Sequence, residues 1–187
     1  MNIERALLTD GWMSERELTY LASISGKSLF IAEIGSWRGR SARAMADNTK
    51  GVIHCFDTWA DNAYGAVFPN DAPDLCQHTD WLWKEFNKNH EDTIGENVFP
   101  HRMNSLEGAS YAQVHGFKFD VIFIDAGHNY EDVVSDIRAW RPLLKEHGIL
   151  CGHDYNPIHH TEVIRAVHDL IPEFRIFDTI WTTEIRH

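Results

Sequence analysis

The stretch that most limits what this chain can fold into runs from Leu29 to Ser41, where an apolar segment breaks at a glycine and a helix opens soon after. Phe30, Ile31 and Ile34 are the β-branched and aromatic residues of a parallel strand buried on both faces. Gly35 and Gly39 allow a sharp turn and a close backbone approach to a ligand. Ser41 is expected to cap the following helix, whose first amides make an anion site. A β-branched side chain at Gly35 is expected to block that ligand while leaving the domain folded.

The rest of the chain repeats the alternation. Apolar spacing predicts helices over 14–25, 41–48, 80–89, 105–114, 131–144 and 160–170, the first opened by a Ser14/Glu17 capping-box pattern and the fifth closed by Gly148. Strands are predicted over 29–34, 52–56, 98–103, 119–124 and 149–151, and the runs 174–177 and 179–185 read as a hairpin. Seven strands alternating with helices imply an α/β chain: a doubly wound, mostly parallel sheet with a C-terminal antiparallel hairpin, in three α/β/α layers. In such a sheet the C-terminal strand ends share one rim, where ligands bind. Glu33, Gly35, Asp57, Ser105, Asp125 and Asp154 all fall at or beside predicted strand ends there. Asp57, about 20 residues past the glycine turn, stands where such folds hydrogen-bond a ribose.

A chain of 187 residues suits one domain spanning 1–187. Segment 60–79, polar and carrying Pro69 and Pro73, reads as a lid or substrate loop. Tyr64, Phe68, Trp81 and Trp83 either line a pocket there or anchor the segment to the core. The net charge of -11 gives no basic footprint for nucleic acid, and no apolar run is long enough for a membrane span. Cys55, Cys76 and Cys151 are odd in number and read as reduced thiols, which fits a cytoplasmic protein without a signal peptide.

The run Glu33-Ile-Gly-Ser-Trp-Arg-Gly-Arg-Ser41, with Phe123-Ile-Asp-Ala-Gly-His-Asn-Tyr-Glu131 and Leu143 to Tyr155, resembles the class I S-adenosylmethionine-dependent methyltransferases. The likeness is most specific to the subgroup containing macrocin O-methyltransferase and the protein called cephalosporin hydroxylase. It implies a Rossmann-like fold in which Glu33, Gly35, Ser36, Trp37, Gly39 and Ser41 meet the methionine part of S-adenosylmethionine. Asp57 would then bind the ribose, Asn104 and Ser105 would lie near the adenine, and Asp125 would stand beside the methyl region. It also implies a divalent cation, Mg2+ or another, held by Asp125 and the pair His153-Asp154. Two departures stand out. His153 replaces an acid, which moves the site toward mixed nitrogen and oxygen donors, and Gly127 stands where some relatives carry the base.

These positions imply methylation of a hydroxyl on a small molecule or sugar, with Asp125, His128 and His153 as catalytic candidates. His128 reads equally as a base or as a structural histidine. A homo-oligomer is compatible with this reading. Three rivals are weaker. A nicotinamide dehydrogenase would need a glycine where Trp37 stands. A metal hydrolase built on His128, His153, His159, His160 and Asp154 matches no zinc spacing. A non-catalytic cofactor-binding protein is kept open by Gly127.

Overall fold

The computed structural model describes residues 1–60 and 80–184. Most of the predicted lid, with Tyr64, Phe68 and Cys76, lies outside the described residues. No helix among those described is long and apolar enough to cross a membrane.

The elements run α1 (Glu4–Leu8), α2 (Glu15–Ser25), β1 (Phe30–Ile34), α3 (Arg40–Ala46), β2 (Val52–Asp57), α4 (Trp81–Asn89), β3 (Val98–Arg102), α5 (Ser105–Val114), β4 (Phe119–Ile124), α6 (Tyr130–Trp140), β5 (Leu144–Gly152), α7 (Thr161–Leu170), β6 (Arg175–Phe177) and β7 (Ile180–Thr182). Seven strands form one sheet in the order β3-β2-β1-β4-β5-β7-β6. The first five strands pair in parallel, while β7 inserts antiparallel between β5 and β6.

Strand side chains alternate between two cores, as a two-residue period dictates. Ile31, Ile53, Val121 and Phe123 pack beneath α1 to α4, and Ala32, Ile34, Ile122 and Ile124 pack beneath α5 to α7. The expected three layers follow directly. Trp83 packs on Trp59 at 4.8 Å and Trp81 joins the first core, so both act as anchors for α4.

Two boundaries differ from the sequence reading. Helix α6 stops at Trp140 because Pro142 follows; Arg141–Leu143 form a 3-10 turn, and Leu144 already belongs to β5. Gly148 therefore sits inside a strand. Helix α3 begins at Arg40 with left-handed Gly39 (φ 88°) as its N-cap, and no side chain caps it, so Ser41 is a helical residue.

Strand order reverses between β1 and β4, and the loops leaving them run side by side. Gly35 (φ 86°) packs so tightly there that a Cβ on it would overlap the Asp125 carbonyl. The first obstacle to a side chain at 35 is thus the neighbouring loop and not a ligand, which corrects the expectation that the fold would tolerate one. Gly35→Ala is expected to destabilise the protein by about 2–5 kcal/mol, combining a left-handed backbone penalty with overpacking. Urea denaturation reads this, and an unchanged midpoint would mean the loops do not meet.

Candidate active site

The loop after β1 holds left-handed residues at Gly35, Trp37 (φ 46°) and Gly39. Its amides are tied down: Gly35 N–H donates to the Phe56 carbonyl at 2.9 Å, and Trp37 N–H donates to Asp57 Oδ2 at 2.9 Å. The second Asp57 oxygen accepts from Trp59 N–H at 2.7 Å, and the Trp59 indole N–H returns to the Trp37 carbonyl at 2.8 Å. Asp57 therefore stands at the β2 tip clamped to the loop. The Trp37 indole stacks on Trp12 at 4.3 Å and lies under the Arg38 guanidinium, so Trp37 serves the loop through its backbone.

Beneath this loop lies Glu33, fully buried at 0% exposure, with neither carboxylate oxygen in a well-formed hydrogen bond. The buried Ser36 hydroxyl also lacks a partner. Burial pushes the Glu33 carboxyl up to about 7; the facing Ser36 and Ser41 hydroxyls oppose this shift and Asp125 adds to it. A buried acid without a partner is costly, and a ligand ammonium would relieve it.

Asn104 and Ser105 take other duties. The Asn104 side chain caps α5 in a reciprocal box with Glu107. The Ser105 hydroxyl bonds Asp136 and accepts from the Trp140 indole at 2.9 Å, so it faces α6.

The other half of the site stands on the tips of β4 and β5. Asp125 N–H donates to the Ile34 carbonyl at 2.7 Å and His153 N–H to the Ile124 carbonyl at 3.0 Å, which extends the ladder and fixes both side chains. Asp154 has a left-handed backbone (φ 62°) that turns its carboxylate back across the rim. It meets His128 Nε2 at 2.8 Å, His153 Nδ1 at 3.3 Å and His160 Nε2 at 3.5 Å. His153 Nδ1 is also 3.5 Å from Asp125 Oδ1. Asp125, His128 and Asp154 each offer a metal-ligand atom, all within 4.8 Å of one another. Gly127 adjoins the Asp132 side chain, so an acid there would face another acid.

Charge follows from this pairing. Burial alone would lower the His153 pKa, but Asp125, Asp154 and Glu17 outweigh it and push it up to about 12. Burial raises the Asp154 carboxyl while His128 and His153 pull it down further, to a net depression. The bond to Asp154 raises His128 against a smaller effect of burial. With 9% of its side chain exposed, His153 is poorly placed to meet an acceptor, whereas His128 at 48% is open to one.

The structure thus gathers Glu33, Gly35, Ser36, Gly39, Ser41 and Asp57 around one loop, and Asp125, His128, His153 and Asp154 beside it. It adds Glu17 on α2, Thr179 and His160. Glu17 had shown only its capping pattern, since its second partner lies far along the chain.

This fold and rim define a class I methyltransferase architecture. A family model described as a methyltransferase domain matches residues 32–155, and the chain belongs to that family. Among solved structures, the SAH-bound methyltransferase PaMTH1 of Podospora anserina gives a TM-score of 0.62 at 16% identity, covering 91% of this chain and 78% of that one. The O-methyltransferase TomG of Streptomyces achromogenes, in complex with SAM, gives 0.64 at 14% identity, with 91% and 79% covered. Cofactor-bound Rv0187 from MTB gives 0.66 at 14% identity, with 96% and 84% covered. At these identities the likeness is one of fold. No curated protein matches the sequence.

Folding lifts the Glu33 carboxyl from its ordinary value of 4.5 to about 7, so the folded protein holds a proton the unfolded chain has lost. Stability of the cofactor-free protein is therefore expected to fall between those two values as pH rises, by on the order of 3 kcal/mol from this group. In Glu33→Gln that fall should vanish. Urea titrations at pH 4 and pH 8 compare the two proteins, and an identical pH dependence in both would refute the placement of Glu33.

Proposed function

We propose that the protein transfers the methyl group of S-adenosylmethionine to a hydroxyl of a small molecule or sugar. The observation that carries this reading is the unpartnered Glu33 carboxylate beneath the glycine loop, directly beside the histidine-carboxylate rim. Glu33 is suited to the ammonium of the cofactor's methionine part. Asp57 is suited to its ribose hydroxyls, since its carboxylate stands at the β2 tip and is held against the glycine loop by the Trp37 and Trp59 amides. The cofactor brings its own activated methyl group and leaving group, so the chain's task is positioning.

His128 is the general base of this reading. With Nε2–H donated to Asp154, Nδ1 becomes the atom that takes the acceptor's hydroxyl proton. Asp154 fixes the ring and stabilises the imidazolium that results. His153 becomes a fixed element of the rim. Asp125, Asp154 and His153 would hold a divalent cation, which when bound supplies positive charge that lowers the pKa of a nearby hydroxyl.

Calorimetry with S-adenosylhomocysteine and NAD tests the assignment. S-adenosylhomocysteine should bind and NAD should not. Asp57→Ala should weaken binding by about 1.5–3 kcal/mol, since charge-assisted hydrogen bonds are lost. Equal binding of NAD, or unchanged affinity in Asp57→Ala, would sink the reading.

A further inference from the structure

Glu17 lies on helix α2, remote in sequence from the rim, yet it is buried with only 3% exposed. A capping glutamate ordinarily spends one oxygen on its helix and leaves the other in water. Here Oε2 accepts from Ser14 N–H at 2.7 Å, which closes the capping box. The other oxygen, Oε1, accepts from Thr179 N–H at 3.1 Å and from the Thr179 hydroxyl, and it faces His153 Nε2 at 3.3 Å. The Thr179 hydroxyl oxygen lies 3.0 Å from the same nitrogen. With its hydrogen directed at Glu17, Thr179 offers Nε2 only a lone pair. Both neighbours of Nε2 are thus acceptors, and Nε2 carries a hydrogen.

That arrangement aims the opposite nitrogen. Nδ1 stands 3.5 Å from Asp125 Oδ1 and 3.3 Å from Asp154 Oδ1. Donor atoms bound to a common ion at about 2.1 Å lie roughly 3.0–3.4 Å apart along the edges of an octahedron or tetrahedron. The Asp154 spacing of 3.3 Å falls within that range and the Asp125 spacing of 3.5 Å just beyond it, so a small inward shift of Asp125 brings the three donors onto one cation. A histidine ligand whose other N–H is held by a carboxylate is oriented, and its basicity is raised.

We propose that Glu17 is the positioning residue of a nitrogen-ligated cation position formed by His153 Nδ1, Asp125 and Asp154, and that this position selects a transition-metal ion over Mg2+. The inference rests on the proposed function for its location, where a cation meets the acceptor. Its own content is the choice of ion and the role of α2. Mg2+ favours oxygen donors and keeps much of its water, whereas imidazole favours the later first-row ions. The incoming ion takes the place of a proton on Nδ1.

The test uses the metal-stripped full chain, titrated with Co2+ and Mg2+ by calorimetry and by the visible absorption of bound Co2+. Co2+ should bind about tenfold or more tightly than Mg2+. Glu17→Gln should weaken Co2+ by about 10–100-fold and alter its absorption, with S-adenosylhomocysteine affinity kept. His153→Asp, which rebuilds an oxygen site and serves if Glu17→Gln fails to fold, should shrink the Co2+ preference by about tenfold. Three results would overturn the proposal: no cation bound by the wild type, Mg2+ bound as tightly as Co2+, or Co2+ affinity indifferent to both substitutions. S-adenosylhomocysteine is titrated into the same wild-type sample, so its failure to bind would count against the methyltransferase reading and not against the choice of ion.

Discussion

The contact between Gly35 and the backbone of Asp125 is the constraint on which the site depends. Strand order reverses at β1 and β4, so the chain leaves these neighbouring strands in separate crossovers and opens a crevice at their tips. Only a residue without a side chain lets the two loops touch there. The two halves of the rim are consequently built on adjacent strands, with Glu33 below one loop and Asp125 opening the other. Positioning of this kind is most of what methyl transfer asks of a protein.

The two halves hold charge in opposite ways. Glu33 is buried with neither carboxylate oxygen in a well-formed hydrogen bond and its carboxyl is pushed up to about 7, a condition that favours arrival of a cationic group. Around Asp125 and Asp154 the carboxylates are met by several imidazoles, and His128 and His153 hold the Asp154 carboxyl below its ordinary value. One half is short of positive charge and the other is well supplied. On the proposed reading, a zwitterionic, sulfonium-bearing cofactor and a hydroxyl acceptor would divide between them.

Much of this was legible in the chain because strand ends are legible. Ile31 to Ile34 and Phe119 to Ile124 are nearly continuous apolar runs, and such runs mark buried parallel strands. The acids that follow them must then fall on one rim, which is why Glu33, Asp57, Asp125 and Asp154 could be placed from order alone. Local signals failed where two of them competed. Pro142 ended α6 four residues before the apolar stripe did, and the left-handed turn at Gly39 started α3 before Ser41 could cap it. Asn104 and Ser105 were placed correctly at a strand end, but their side chains answer to α5 and α6. Glu17 was out of reach, since one oxygen fully explains its local pattern and the other acts only after α2 docks on the tip of β5.

The central claim is that the cradle of Glu33, the glycine loop and Asp57 holds S-adenosylmethionine. Mass spectrometry of the small molecules released on denaturing the purified protein, before and after incubation with S-adenosylmethionine and NAD together, tests it directly. The account predicts S-adenosylmethionine or S-adenosylhomocysteine in the extract at close to one molecule per chain. Recovery of NAD in its place, or of neither ligand after incubation, would contradict it.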